Sequence, residues 1–309
     1  MDSALGIFGS QSWLRPAGIG AASAHDLTVA MAIGLGVVFV VVMALIALAW
    51  RADTAPRGWW IWSGGVIVPL GAILLILLGS TMALLAMTRA HDDALVIDVT
   101  GHQFWWDIVY DPEGAAVRDA NELVLPKDRP VTLRLHAEDV IHSFWVPSIS
   151  GKMDMVPGRT NILTLTATRT GLFRGQCAEF CGVGHPRMAF EVRVLDPGAF
   201  DDWLEQTGGE ARKAARPDLQ DGREVFETAG CAACHEIRGV AEGARMGPDL
   251  TRIGARRSLG AGMWRMSQGA LAGWIADARA MKPGAQMPGY TQLSGPDLRA
   301  VSAYLASLK

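Results

Sequence analysis

Cysteine, tyrosine and net charge are all scarce in this chain. Four cysteines in 309 residues are too few for a disulfide scaffold. A formal net charge of −3 removes the basic excess on which nucleic-acid binding depends. Half of the residues are hydrophobic and only 19% are charged, which excludes a disordered chain. Residues 1–24 lack the basic start and continuous apolar core of a signal peptide. At about 150 residues per domain the length implies about two domains. The charge, however, divides the chain into three unlike parts. Basic and acidic residues number four and three over 1–90, 13 and 19 over 91–217, and 11 and 9 over 218–309.

The first part belongs in a membrane. Leu27 to Trp50 is 24 residues long and carries no charge, and a second uncharged run extends from Trp59 to Met87. A hydrocarbon core of about 30 Å needs about 20 helical residues, so both runs can span it. Spans are expected at about 27–50 and 60–87, joined by a short loop holding Arg51 and Arg57. Positive charge favours the inner side, and Trp50, Trp59, Trp60 and Trp62 form an aromatic belt at that end. Both termini are then expected on the outer side of a bacterial inner membrane, a multi-pass arrangement.

The second part reads as a soluble β domain. Alternating apolar residues recur at Leu95–Val99, Val131–Leu135, Ile162–Leu165 and Met188–Val194, separated by turns such as Val156-Pro157-Gly158. Short strands with regular turns predict a sandwich or barrel. A closing helix over 198–207 and a Gly-, Arg- and Ala-rich linker to Pro217 follow. Within one loop, Cys177, Cys181, His185 and Met188 crowd into twelve residues, and His142 precedes an aromatic pair upstream. Soft sulfur ligands with imidazole suit copper, zinc or an iron–sulfur cluster. One thiolate suffices for a single blue copper, and the second allows two coppers bridged by both sulfurs. A Cys177–Cys181 disulfide, a Cys2His2 zinc site and a core methionine remain competing readings.

The third part carries Cys231-Ala232-Ala233-Cys234-His235, the attachment motif of a c-type haem. Two thiols add to the haem vinyls and His235 supplies an axial imidazole. A redox dithiol or half of a zinc site would read the same, but no second CxxC and no βαβ pattern accompany it. Met287 sits in a Met-Pro pair before a predicted final helix, Ser294–Leu308, and is preferred as sixth ligand over Met246, Met263, Met266 and Met281. Helices are also predicted over Asp221–Ala229 and Ala270–Ala278. His25, His91, His102 and His136 show no ligand spacing and are assigned polar surface or satisfied hydrogen-bond roles.

Gly175–Met188 (GQCAEFCGVGHPRM), HSFWVPSI, PGRTN and GHQFWWDIVY, following two apolar runs, resemble subunit II of the haem-copper cytochrome c oxidases. The resemblance covers about 25–205. With Gly247-Pro248-Asp249-Leu250 and the Met287 motif resembling small class I cytochromes c, the whole looks like the fused subunit II of caa-type oxidases. It implies a multi-domain fold: an N-terminal segment and two-helix transmembrane hairpin (1–90), an all-β cupredoxin-like copper A barrel (91–205), a linker (206–217) and an all-α class I cytochrome c domain (218–309). It also implies dinuclear copper A, with two copper ions, held by His142, Cys177, the Glu179 carbonyl, Cys181, His185 and Met188. The Glu179 carboxylate would reach a magnesium ion shared with subunit I, and Asp139 falls where the family has an acid facing the electron donor. One covalent haem c would be held by Cys231, Cys234, His235 and Met287.

Two departures stand out. Phe104 stands where family members often have tryptophan, the point at which electrons from a soluble cytochrome c enter; Trp105 and Trp106 follow it as further candidates. Trp59-Trp60-Ile61-Trp62 contains no acid where many relatives carry the glutamate of a proton pathway. The resemblance implies an electron-transfer role with no catalytic residue in this chain. Electrons would pass from an external donor, such as a cytochrome c or a quinol:cytochrome c reductase, to haem c, copper A and subunit I. Dioxygen reduction and proton translocation would occur in subunit I, with subunit III a further partner and lipid the surroundings. A copper A subunit of a nitric oxide reductase and a lone membrane-anchored redox or copper protein are the alternatives. Tethering sets haem beside copper at roughly millimolar effective concentration. The basic haem part facing an acidic β part suits charge-guided docking.

Overall fold

A computed structural model describes residues 11–51, 58–88, 94–111, 113, 116–211, 214 and 216–309. Helix α1 (Ile19–Ala49) is followed by a second rod made of α2 (Gly58–Trp62), a π-helical turn (Ser63–Ile67) and α3 (Val68–Thr88). The π turn has a local cause: Pro69 lacks the N–H that would bond Gly65, and its ring crowds that carbonyl. Apolar side chains stay exposed all round both rods, as Leu35 (65%), Phe39 (65%) and Leu75 (72%) show. Both are long and apolar enough to cross a membrane, and neither is buried against protein. Arg57 and the rest of the loop 52–57 lie outside the described residues, as does His91.

Helix α1 begins eight residues before the hydropathic run. Its start is stitched to the β domain: Ala17 N–H donates to Ser148 O (2.6 Å), Ile19 N–H to Thr166 O (3.0 Å) and Ala21 N–H to Ile149 O (3.1 Å). Hydropathy marks the membrane portion, whereas these bonds fix where the helix starts.

The β domain contains two five-stranded sheets. One orders β3 (Val117–Ala120), β2 (Trp105–Tyr110), β1 (Leu95–His102), β5 (Val131–Ala137) and β8 (Asn161–Leu165). The other orders β4 (Glu122–Pro126), β10 (Ala189–Leu195), β9 (Gly171–Cys177), β6 (His142–Trp145) and β7 (Met153–Met155). Alternation turns Ile97, Val99, Leu133 and Leu135 inward against Trp106, Phe144 and Phe190, so the sandwich encloses one core. Helix α4 (Pro197–Gly208) closes it with Phe200.

The C-terminal domain is helical: α5 (Pro217–Thr228), α6 (Gln268–Ala276), α7 (Ala278–Met281) and α8 (Gly295–Ser307), with a small ribbon of β11 (Ser258–Leu259) and β12 (Trp264–Arg265). The single helix expected over Ala270–Ala278 is two, because Asp277 turns extended and its carboxylate accepts from Arg279 N–H and Ala280 N–H, both 3.0 Å. Ser294 caps α8, its hydroxyl accepting from Asp297 N–H (3.2 Å). The stretch after α4 is clamped: Arg238 donates to the Thr207 (2.5 Å) and Gly209 (3.2 Å) carbonyls, and Arg252 to that of Gln206 (2.6 Å). Linker positions 212, 213 and 215 lie outside the described residues.

Candidate metal centre and adjoining cleft

Strand β9 ends on Cys177, β6 starts on His142 and β10 starts just after Met188, so one end of the second sheet gathers the soft donors. Cys177 Sγ lies 3.9 Å from His142 Nδ1 and 3.9 Å from Cys181 Sγ. Cys181 Sγ in turn lies 3.8 Å from His185 Nδ1 and 3.8 Å from Met188 Sδ. The Glu179 carbonyl oxygen accepts from the Cys177 thiol at 3.2 Å. The Glu179 side chain is exposed, and its carboxylate accepts from Phe180 N–H (3.3 Å). Ligating atoms of His142, Cys177 and Cys181 all lie within 4.8 Å of one another, while His185 adjoins through Cys181. None of the four cysteines is in a disulfide.

The surroundings prepare these donors. His142 is fully buried, and Gly101 makes room for it: a Cβ there would sit 2.9 Å from the imidazole. Its Nε2 bonds Asp139 Oδ1 (2.8 Å), which orients the ring and leaves Nδ1 toward sulfur. Burial pulls the His142 pKa down, but hydrogen bonds with Cys177 and Asp139 outweigh it and raise it overall. Asp139 is held low: burial opposes its charge, yet bonds from His142, Gln103 N–H and Val140 N–H prevail. The Cys177 thiol is pulled well below the usual thiol range, chiefly by its hydrogen bond with Cys181, and the same bond pushes Cys181 up. A ready thiolate is what a metal site needs.

The second feature is a cleft of about 470 Å³ in the helical domain. Cys231, Cys234, His235 and Met287 line it beside apolar side chains such as Phe226 and Leu271. His235 Nδ1 bonds Pro248 O at 2.8 Å, which leaves Nε2 for the cleft, and burial lowers its pKa so that the ring stays neutral. Gly247 is required beside it, since a Cβ would fall 2.6 Å from the imidazole. A free imidazole nitrogen, two thiols, a thioether and an apolar wall fit a covalently attached haem. Of the rival methionines, Met246 also lines the cleft but is exposed.

One wall of this cleft is formed by the β domain near its sulfur-rich loop: His102, Gln103, Phe104 and Trp105 line it. Phe104 is buried there, and Trp105 stacks on His102 at 4.3 Å. Trp106 is elsewhere, fully buried in the β core against Phe190. Sequence reasoning missed His102 and Gln103, because only the tertiary fold brings them to the cleft.

The model of the cytochrome c oxidase subunit II periplasmic domain matches residues 110–195, and that of cytochrome c matches 219–309. The cytochrome c oxidase subunit 2 of Bacillus sp. (strain PS3) is 30% identical over 262 residues, covering 79% of this chain and 72% of that protein. The chain belongs to the cytochrome c oxidase subunit 2 family. Its counterpart from Alkalihalophilus pseudofirmus is 40% identical over 218 residues, covering 71% of this chain and 62% of that protein. That from Bacillus subtilis (strain 168) is 33% identical over 231 residues, covering 72% and 64%. The chain thus spans less than two thirds of these two relatives' lengths. A subunit 2 domain implies copper A, and a cytochrome c domain implies haem c.

The two domains meet through ion pairs, one of them buried on both sides. Arg256 Nη2 lies 2.6 Å from Asp119 Oδ1, and Arg257 Nε 3.1 Å from Glu191 Oε2. The Arg257 N–H donates to Glu122 Oε1 (2.5 Å). Burial first, then the Asp119 charge, raises Glu122 to about 7, with Glu191 adding to it and Arg193 opposing. Its folded value exceeds the ordinary 4.5, so its stabilising contribution is present below about 4.5 and lost as pH rises through about 7. Glu122→Gln keeps an acceptor for Arg257 N–H. It is expected to flatten the fall in thermal midpoint of the full chain between pH 5 and 8; an unchanged slope refutes the assignment.

Proposed function

We propose that this chain is the electron-transfer subunit of a membrane-bound haem-copper oxidase. Its helical domain takes electrons from an external donor, and its β domain passes them to the haem of subunit I. Dioxygen would be reduced to water there, with proton translocation. The observation that carries the reading is the shared wall: the cleft holding Cys231, Cys234, His235 and Met287 abuts Gln103 and Phe104, and Gln103 Nε2 donates to the Cys181 carbonyl at 2.6 Å.

His142, Cys177, the Glu179 carbonyl, Cys181, His185 and Met188 would hold two copper ions. Each sulfur has its own imidazole neighbour, an elongated arrangement that supports a bridged pair over one tetrahedral zinc. When bound, the pair supplies one-electron storage with little rearrangement. Cys231 and Cys234 would bond the haem covalently, with His235 and Met287 as axial ligands. The exposed Glu179 carboxylate is available to a magnesium ion at the boundary with subunit I. The start of α1 is bonded to the β domain, which supports both lying on one side of the membrane, the outer side of a bacterial inner membrane.

Met188→Leu is expected to alter the copper electron paramagnetic resonance spectrum and spare the haem band. Met287→Leu is expected to do the reverse. A full-length chain, matured with copper and haem, that shows no mixed-valence pair or no covalent haem overturns the proposal.

A further inference from the structure

Lys282 follows α7 at the start of the turn leading to Met287, and it is 3% exposed. Its Nζ donates to the Phe104 carbonyl at 2.7 Å and to the Gly260 carbonyl at 2.9 Å. The first acceptor belongs to the β domain and the second to the helical domain. Among the described residues no carboxylate pairs with this ammonium. Burying a charge against carbonyls alone is costly, and that cost lowers the Lys282 pKa to about 7. Apolar packing would close the same gap more cheaply, so the position calls for another explanation.

Its neighbours supply one. Two residues on, Gly284 lies flat on Phe104: a Cβ there would be 2.7 Å from Phe104 Cε2 and 2.7 Å from Val183 Cγ1. Ala285, Gln286 and Met287 then line the haem cleft. On the other side, Phe104 follows Gln103, whose side chain bonds the Cys181 carbonyl (2.6 Å) and whose N–H bonds Asp139 Oδ2 (2.6 Å). Asp139 in turn holds His142 at 2.8 Å. A run of covalent and hydrogen bonds thus joins the Met287 turn to two candidate copper ligands, and Lys282 is the tie across the domain boundary.

We propose that Lys282 is a positioning residue for electron transfer between the two centres, tying the Met287 turn to the Phe104 carbonyl so that the haem cleft keeps its distance and orientation to the copper loop. This rests on the assignment of haem and copper given above. In the step it serves, the reduced haem domain loses one electron and the oxidised copper domain gains it; no bond or proton is exchanged. Transfer depends steeply on separation, so a loosened turn slows it while leaving each centre intact.

The test uses the assembled oxidase, with the haem domain reduced by a laser flash and its reoxidation followed in the visible band. Lys282→Met leaves both carbonyls without a partner. The transfer rate is expected to fall about tenfold, equivalent to about 1.4 kcal/mol. Haem content, haem band position, haem potential and the copper resonance spectrum are expected to stay as in wild type. Lys282→Gln keeps an N–H donor but cannot span both carbonyls, and an intermediate rate is expected. A wild-type rate in Lys282→Met overturns the proposal, as does one in Lys282→Gln where the methionine variant does not assemble. A slowed rate accompanied by a shifted band or potential also overturns it, because it reports a general structural role. Missing haem or copper in the wild-type protein would instead sink the underlying assignment.

Discussion

Cys181→Ser should abolish the proposed copper pair while leaving haem untouched. Cys181 is the hub of the donor set: its sulfur lies within 4 Å of Cys177 Sγ, His185 Nδ1 and Met188 Sδ. Serine is too hard and too weakly acidic to replace a bridging thiolate. What remains is one thiolate with imidazole, a set for a single metal, so on the proposed two-copper assignment copper per chain is expected to fall to one or none. The mixed-valence resonance signal is expected to vanish, and electron delivery to the partner subunit to stop. Asp139→Asn gives the contrast. Its direct contact with a candidate ligand is through His142 Nε2, with a second, indirect route through Gln103 to the Cys181 carbonyl, so a loss of about 10–100-fold in copper affinity is expected, with the pair still able to form. Metal analysis and paramagnetic resonance on both full-length variants check this. A serine variant that retains two coppers and the mixed-valence signal refutes the bridge.

How much of this was legible in the sequence follows from how local each feature is. The soft donors in 177–188 and the CxxCH motif are dense in one stretch of chain, and the fold brings each set together as the spacing suggested. The strands with clean alternation were legible as well. Strand β4 was not, because Glu122–Pro126 is buried on both faces and its glutamate disguises it. Strands β6 and β7 are four and three residues long, too short for a period to register. The start of α1 was hidden because His25 and Asp26 interrupt the hydropathic run but not the helix. The domain boundary was the least legible part. Asp119 and Arg256 are 137 residues apart, and Phe104 and Lys282 are 178 apart. Gross charge pointed to an acidic and a basic partner, but the pairing is by buried contacts rather than by a diffuse field. Lys282, the most telling residue there, carries no motif at all.

That distinction sets the expected behaviour of Arg256→Met, the second large effect. The Arg256 side chain is 4% exposed and that of Asp119 9%. Arg256 also bonds the Asp249 carbonyl at 2.6 Å, so the arginine is fixed from its own domain before it reaches the other. Removing it leaves the buried Asp119 carboxylate without its charge partner, a loss of about 3–5 kcal/mol. The helical domain is then expected to lift from the β domain, seen as slower haem-to-copper transfer and faster protease cleavage within 209–216. Salt should not reproduce this: a Debye length of about 8–10 Å screens exposed charge, whereas a buried pair at contact is screened far less. The salt dependence that gross charge alone implied is therefore expected to be small. Replacing both partners, as Asp119→Leu with Arg256→Met, removes the stranded charge and should recover much of the loss. If the double variant is as loose as the single one, the ion pair itself holds the domains together; recovery means that shape and apolar contact do so, with the pair fixing register.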